Sequence, residues 1–203
     1  MSSAYRSPDA EDRARRVQMI LMDVDGVLTD GRILLIPDGK DGVQEVKMFD
    51  VQDGVGITFA HRVGLRTGVI TGRSSPSVAA RAKELGMEVV QQGTHDKWKT
   101  YSEVRIAVSL GDSQIAYIGD DLQDLPILRR VGLSVAVANA CEEIKEICHI
   151  VTERKGGRGA VREAIDFILR AQGKWYQILT RYRACKNFSS PSKHLHPSYH
   201  QIL

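Results

Sequence analysis

This 203-residue chain predicts an α/β fold: a Rossmann-like parallel sheet with helices on both faces. Three observations predict it. Short, nearly continuous apolar runs alternate with amphipathic stretches from residue 17 to residue 171, the pattern of buried parallel strands joined by crossover helices. Polar clusters rich in Asp, Thr and Gly stand directly after three of those runs. Right-handed crossovers bring the carboxyl ends of parallel strands to one edge, where such sheets keep their ligand crevice.

The elements follow in order. Residues 17–22, bounded by Arg16 and by turn residues, read as the first strand. Residues 33–36 and 43–48 form a hairpin, because two Asp-Gly steps (Asp38 with Gly39, Asp41 with Gly42) separate two β-prone runs. A helix over 53–63 has Asp53 as its candidate N-cap, and 65–70 is a strand ended by Thr71, Gly72 and Arg73. Ser75 before Pro76 reads as an N-cap with proline at the first helical position, opening a helix that runs to Gly86. A strand over 88–90, a helix over 96–110 and a strand over 115–118 come next. Segments 122–131, 133–137, 142–147 and 150–151 continue the alternation, and 159–171 closes it.

The expected organisation is a polar N-terminal extension over 1–16, one domain over 17–174 and a C-terminal extension over 175–203, largely disordered. Within that tail, 185–203 carries Ser189, Ser190, Pro191 and Ser192 without helical period. Its His194, His196 and His200 read as tail residues, since nothing there orders a ligand set. With 42% hydrophobic and 26% charged residues, the composition is that of a soluble globular protein. A net charge of +3, with much of the excess near the ends, gives no case for a nucleic-acid partner. No run approaches the ~20 apolar residues of a membrane span. The first 16 residues hold no signal-peptide core, so the cytoplasm is the expected location. Cys141, Cys148 and Cys185 are odd in number and lack metal-ligand spacing; Cys141 and Cys148 read as small apolar fillers, and all three as structural or incidental.

Asp23 and Asp25 follow the first strand. Two carboxylates this close repel, so they need a cation, a shared proton or water. A solvated Asp-x-Asp turn and a functional pair both satisfy that condition. Clusters at Thr71 to Arg73 and Gly119 to Asp121 end later strands and favour the pair, because all three would converge on one edge. Asp23 with Asp120 makes an oxygen-rich site suited to Mg²⁺. A carboxylate can also attack phosphorus, and Asp25 can serve as general acid and then base. The Thr71 hydroxyl and Gly72 N–H suit phosphoryl oxygens. Lys97 is either a surface lysine or a point charge that neutralises phosphate.

The DVDGVLTDG run from Asp23, ITGR from Ile70, Lys97, and GDDLQD from Gly119 resemble the four motifs of the haloacid dehalogenase superfamily of phosphohydrolases. FDVQDG from Phe49, QGTHDK from Gln92, VGLSVAVA from Val131 and GGRGAVRE from Gly156 resemble, more closely, the 3-deoxy-D-manno-octulosonate 8-phosphate phosphatase family, over about 17–174. The resemblance implies a capless phosphatase of lipopolysaccharide sugar biosynthesis that cleaves a phosphorylated sugar acid and assembles as a homotetramer. The 33–48 hairpin would pack with its copies and partly cover a neighbour's site. It further implies Asp23 as nucleophile and Mg²⁺ ligand, Asp25 as acid/base and ligand through its carbonyl, and Asp120 as the remaining metal ligand. Thr71 and Lys97 match the phosphate-holding pair. Asp25, Asp50, Val51, Gln52, Asp53, Gly54, Gly72, Arg73, Arg81, Lys97 and Arg158 match substrate-binding positions. Asp121 and Asp124 would support the site or charge the next helix start.

Two positions depart from the family pattern: many members carry arginine where this chain has Gln52 and Thr58. That leaves a nine-carbon sugar-acid phosphate or a general sugar phosphate as alternative substrates. An inactive oligomerisation module would not need Asp23, Asp25, Thr71, Lys97 and Asp120 together. Phosphotransfer to a sugar acceptor would use the same residues as hydrolysis.

Overall fold

The computed structural model describes residues 5–39 and 42–183. Its strands are β1 (Tyr5–Arg6), β2 (Met19–Met22), β3 (Leu34–Pro37), β4 (Val43–Val46), β5 (Arg66–Ile70), β6 (Val89–Gln91), β7 (Ile115–Gly119), β8 (Leu133–Ala136) and β9 (Ile150–Val151). Seven of them form one sheet in the spatial order β1-β9-β8-β7-β2-β5-β6, parallel throughout except where β1 meets β9. β3 and β4 pair apart from it as an antiparallel hairpin.

The apolar runs decide which strands are central. All four residues of β2 and all five of β7 are buried, as the unbroken hydrophobicity of a doubly covered parallel strand requires. From β2 the chain builds β5 and β6 on one side, then returns to lay β7, β8 and β9 on the other. The order therefore reverses between β2 and β7, and the crevice of an open parallel sheet lies at the carboxyl ends of such a pair.

The helices are α1 (Ala10–Arg16), α2 (Val51–Arg62), α3 (Pro76–Glu84), α4 (Lys97–Ala107), α5 (Leu125–Leu128), α6 (Glu142–Ile147), α7 (Ala160–Ala171) and α8 (Trp175–Arg183). α7 packs against α1, α2 and α8, while α4 packs against α5, and both groups rest on the sheet. α7 organises the first group, because Val161, Ala164, Ile165 and Ile168 recur at three- and four-residue spacing and are all buried. Among the described residues no helix is long and apolar enough to cross a membrane.

Most elements lie within one or two residues of the expected bounds, the ordinary scatter of helix and strand ends. Three expectations need correction. The N-terminal stretch is part of the fold: β1 extends the sheet beside β9, and α1 buries Ala10 and Ala14. Two alanines four apart make too faint a stripe to read among arginines and acids. Residues 175–183 are helical: Ile178 is buried, and the Trp175 and Tyr182 rings meet Phe59 edge to face at 6.1 and 5.9 Å. Residues 185–203, with Cys185 and the three histidines, lie outside the described residues.

The third correction concerns Asp53. α2 begins at Val51 and is capped by Asp50, whose side chain accepts the Gln52 N–H at 2.7 Å. Asp53 is buried in the first turn and caps a different helix. Its oxygens accept the N–H groups of Gly159 (3.3 Å) and Arg162 (2.8 Å) at the start of α7, where free amides and the helix dipole favour a carboxylate.

Removing that cap by Asp53→Ala is expected to lower the unfolding free energy by about 1–3 kcal/mol in a urea titration. The same carboxyl also makes stability depend on pH. Burial raises it from its ordinary 3.8 to about 6, against the two backbone donors. Its contribution is therefore fully present below the ordinary value and is lost as the pH rises through about 6. Asp53→Asn does not titrate, so the stability difference from wild type should move in the variant's favour between pH 4 and pH 7. A constant difference would contradict the shift.

Candidate active site

The crevice holds the expected residues at strand ends. β2 delivers Asp23, whose N–H continues the ladder to the Ile118 carbonyl at 3.0 Å, and Asp25 follows two residues on. β7 delivers Asp120 and Asp121, β5 delivers Thr71, Gly72 and Arg73, and the first residue of α4 is Lys97. These eight residues, with Gln123, line one cleft of about 190 Å³.

Gly26 and Gly156 permit the close packing around it. Gly26 has φ +92°, and a Cβ there would lie 2.0 Å from an Asp120 carboxylate oxygen. A Cβ on Gly156 would lie 1.7 Å from the Gly26 carbonyl oxygen. Neither position admits a side chain. Asn139 joins the two segments, donating to the Gly26 carbonyl at 2.9 Å and accepting the Gly156 N–H at 2.6 Å.

Lys97 is buried and bridges two carboxylates, Asp23 at 2.8 Å and Asp124 at 2.7 Å. Burial alone would lower its pKa, but Asp124 and Asp23 outweigh burial and hold the ammonium above its ordinary value. The surface-lysine reading is thereby excluded. Asp124 is fully buried and saturated, because it also accepts the Tyr117 hydroxyl at 2.8 Å and the Asp120 N–H at 3.1 Å. Asp121 is exposed and caps the short 3₁₀ turn Leu122–Asp124.

Asp23 also accepts the Val24 N–H at 2.7 Å. Burial, then repulsion from Asp124, raises its carboxyl to about 6 against the pull of Lys97. Burial and the charges of Asp23 and Asp124 raise Asp120 to about 7. Asp23, Asp120 and Asp124 can bring one carboxylate oxygen each within 4.8 Å of one another. One lysine leaves this acidic group short of positive charge. The Asp120 carboxylate accepts no hydrogen bond among the described residues. An all-oxygen, anionic, under-neutralised donor set fits a hard divalent cation.

Sequence reading missed Lys47. Its buried ammonium contacts Asp25 directly and lies 3.3 Å from Glu45, while Arg73 bonds Glu45 and stands 3.9 Å from Asp25. The hairpin thus reaches the site of its own chain. Val43, Glu45 and Lys47 alternate onto one face, so a charge pair on a strand arm was the available signal.

The remaining expected positions stand outside the cleft. Asp50 caps α2, and Val51 is exposed. Gln52 accepts a bond from Arg154 at 2.5 Å, and Asp53 is buried beneath α7. Arg81 pairs with Glu84 at 3.0 Å, stacks on Phe49 and fills the space beside Gly54. Arg158 reaches Asp30 at 3.5 Å. Thr58 turns its hydroxyl onto the Gly54 carbonyl at 3.0 Å.

Residues 74–165 match the family model for haloacid dehalogenase-like hydrolases. The 3-deoxy-D-manno-octulosonate 8-phosphate phosphatase of Yersinia pestis is 43% identical over 166 residues, covering 82% of this chain and 87% of the relative. That of Escherichia coli K12 is 40% identical over 168 residues, covering 83% and 87%. The crystal structure of the Moraxella catarrhalis phosphatase of the same name, in complex with magnesium, phosphate and a KDO molecule, superposes with a TM-score of 0.82 at 37% identity. It covers 86% of this chain and 98% of that one. Likeness of sequence and fold on this scale, over a site with the motif residues in place, makes the chain a member of the 3-deoxy-D-manno-octulosonate 8-phosphate phosphatase family of haloacid dehalogenase-like hydrolases.

Proposed function

We propose that this chain is a Mg²⁺-dependent phosphomonoesterase of lipopolysaccharide sugar biosynthesis. It hydrolyses 3-deoxy-D-manno-octulosonate 8-phosphate to the free sugar acid and phosphate. The observation that carries the reading is the convergence of Asp23, Asp25, Thr71, Lys97 and Asp120 on one small polar cleft. The activity named for the relatives and the ligands of the Moraxella catarrhalis complex support it.

Asp23, Asp120 and the Asp25 carbonyl would hold Mg²⁺, which when bound neutralises phosphoryl oxygens and fixes their orientation. Asp124, its oxygens already engaged, supports Lys97 instead of ligating. Thr71 and the Gly72 N–H hold the phosphoryl group in line with Asp23, and Lys97 balances charge on both. Asp23 attacks phosphorus, the bond to the sugar oxygen breaks, and Asp25 protonates that oxygen as it leaves. An aspartyl-phosphate results. Asp25, now a base, takes a proton from water, which attacks phosphorus and returns Asp23 as a carboxylate. Arg73 at the mouth, with the 50–54 segment, Arg81 and Arg158 around it, meets the sugar.

The same reading makes the enzyme a homotetramer. Leu34, Leu35, Ile36 and Val43 are exposed on a two-stranded hairpin. A lone hairpin is marginal in water, and a grouped apolar surface marks an interaction site. The free thiols of Cys141 and Cys148 suit the reducing cytoplasm.

Asp23→Asn should cut phosphate release by on the order of 10³-fold or more in a folded protein. Wild-type turnover in that variant would refute the mechanism. Chelation should abolish release and added Mg²⁺ restore it. Lys47→Met should lower turnover about tenfold on every phosphomonoester, since the Asp25 carboxylate loses the contact that positions it. Turnover equal to wild type would remove Lys47 from the mechanism.

A further inference from the structure

We propose that Arg154 is the specificity-determining cation that pairs with the carboxylate of the substrate, a proposal that rests on the sugar-acid reading above. A phosphorylated sugar acid is charged at both ends. With its phosphate at the strand ends, the carboxylate must meet a cation at the mouth.

The other arginines there are engaged. Arg73 is held by Glu45 and Asp25, Arg81 by Glu84, and Arg158 and Arg32 by Asp30. Arg154 differs. Among the described residues it is paired with no carboxylate, and its Nη1 donates to the Gln52 amide oxygen, which is neutral. Asp53 and Asp166 act on its charge only from beyond ion-pair distance, while one edge of the guanidinium is held in place. The remaining donors of that five-donor fork suit a carboxylate bidentately.

The backbone fixes the residue as well. The Arg154 N–H donates to Glu163 at 3.0 Å, and its carbonyl accepts the Thr152 hydroxyl at 2.6 Å and the Ala138 N–H at 3.2 Å. Two residues on, Gly156 packs on the Gly26 carbonyl beside Asp25. Two Cα steps span at most about 7 Å, so Arg154 is rooted close to the phosphate end of the site. Arg154 and Gln52 also border a cleft of about 640 Å³, separate from the strand-end cleft and lined by Glu153, Glu163 and Asp166 as well, so the guanidinium has open space beside it. A cation held in place before binding loses little freedom on binding.

The test compares the Mg²⁺-loaded full chain with its Arg154→Gln, Arg154→Lys and Lys155→Gln variants. Each is assayed on 3-deoxy-D-manno-octulosonate 8-phosphate and on a hexose 6-phosphate, which has no carboxylate. Arg154→Gln should raise KM for the sugar-acid phosphate about 10- to 100-fold, with kcat within about twofold and the hexose phosphate unaffected. Arg154→Lys should recover part of the loss, and Lys155→Gln, which removes the same charge from the next residue, should cause none. Equal losses on both substrates would make Arg154 merely structural, and an unchanged KM or an equal effect of Lys155→Gln would also overturn the assignment. A wild-type protein that does not favour the sugar-acid phosphate would overturn the substrate reading itself.

Discussion

Everything in the crevice is arranged around one buried ammonium. Lys97 sits between Asp23 and Asp124, with Asp120 next to both, so three carboxylates share one lysine at the end of a dry sheet. Burying charge is expensive unless it is paired and hydrogen-bonded. Here the chain supplies hydrogen-bond partners close in sequence to each acid, the Val24 N–H for Asp23 and the Asp120 N–H and Tyr117 hydroxyl for Asp124, and folding brings Lys97 to both from a distant helix. Tyr117 lies inside β7 and points its hydroxyl at Asp124, so the core strand itself completes the network. Among the described residues no second cation pairs with these three acids. That deficit is the electrostatic form of a demand for a divalent cation.

The backbone follows the same constraint. Asp23 and Asp120 can be neighbours because β2 and β7 are adjacent and parallel at the point where strand order reverses. Gly26 is needed because the Asp120 carboxylate occupies the volume a side chain would fill, and Gly156 is needed because Gly26 occupies the next. Asn139, from the loop after β8, bonds both segments and closes the arrangement. A larger residue at either glycine would disturb the acids before it disturbed the core.

The alternation of apolar runs made the sheet and its helices legible, since each period reflects burial that the structure realises. The strand-end acids, Thr71 and Lys97 were legible because position after a strand is itself a spatial statement. Pairings created only by folding were not legible. Asp124 read equally well as a helix-start charge until Tyr117, Lys97 and the Asp120 N–H were seen around it. Lys47 was passed over, because no sequence pattern tells which carboxylate a hairpin will fold onto. α1 and α8 were hidden by composition: their anchors are two alanines in one case and a few residues beside a polar tail in the other. Asn139 carried no local signal, as its work lies in two backbone groups from distant loops.

Asp53 shows how the chemistry and the reading of the sugar are kept apart yet mechanically joined. The phosphate-holding groups stand on strand ends, where the backbone ladder fixes them. The parts proposed to read the sugar stand at the start of α2 and on the loop between β9 and α7, whose positions depend on how those helices dock. Asp53 links them directly: from the first turn of α2 its carboxylate takes the N–H groups of Gly159 and Arg162. Gln52, one residue earlier, takes Arg154 from the same loop. A carboxylate that the motif places among substrate contacts therefore acts underneath them, setting the register of two sequence-distant segments. Since Gly156 of that loop rests on Gly26, the tie from Asp53 runs on to the Asp25 turn. On the proposed assignment, a change of substrate preference comes from residues 52 and 154, while the acids at the strand ends stay as they are.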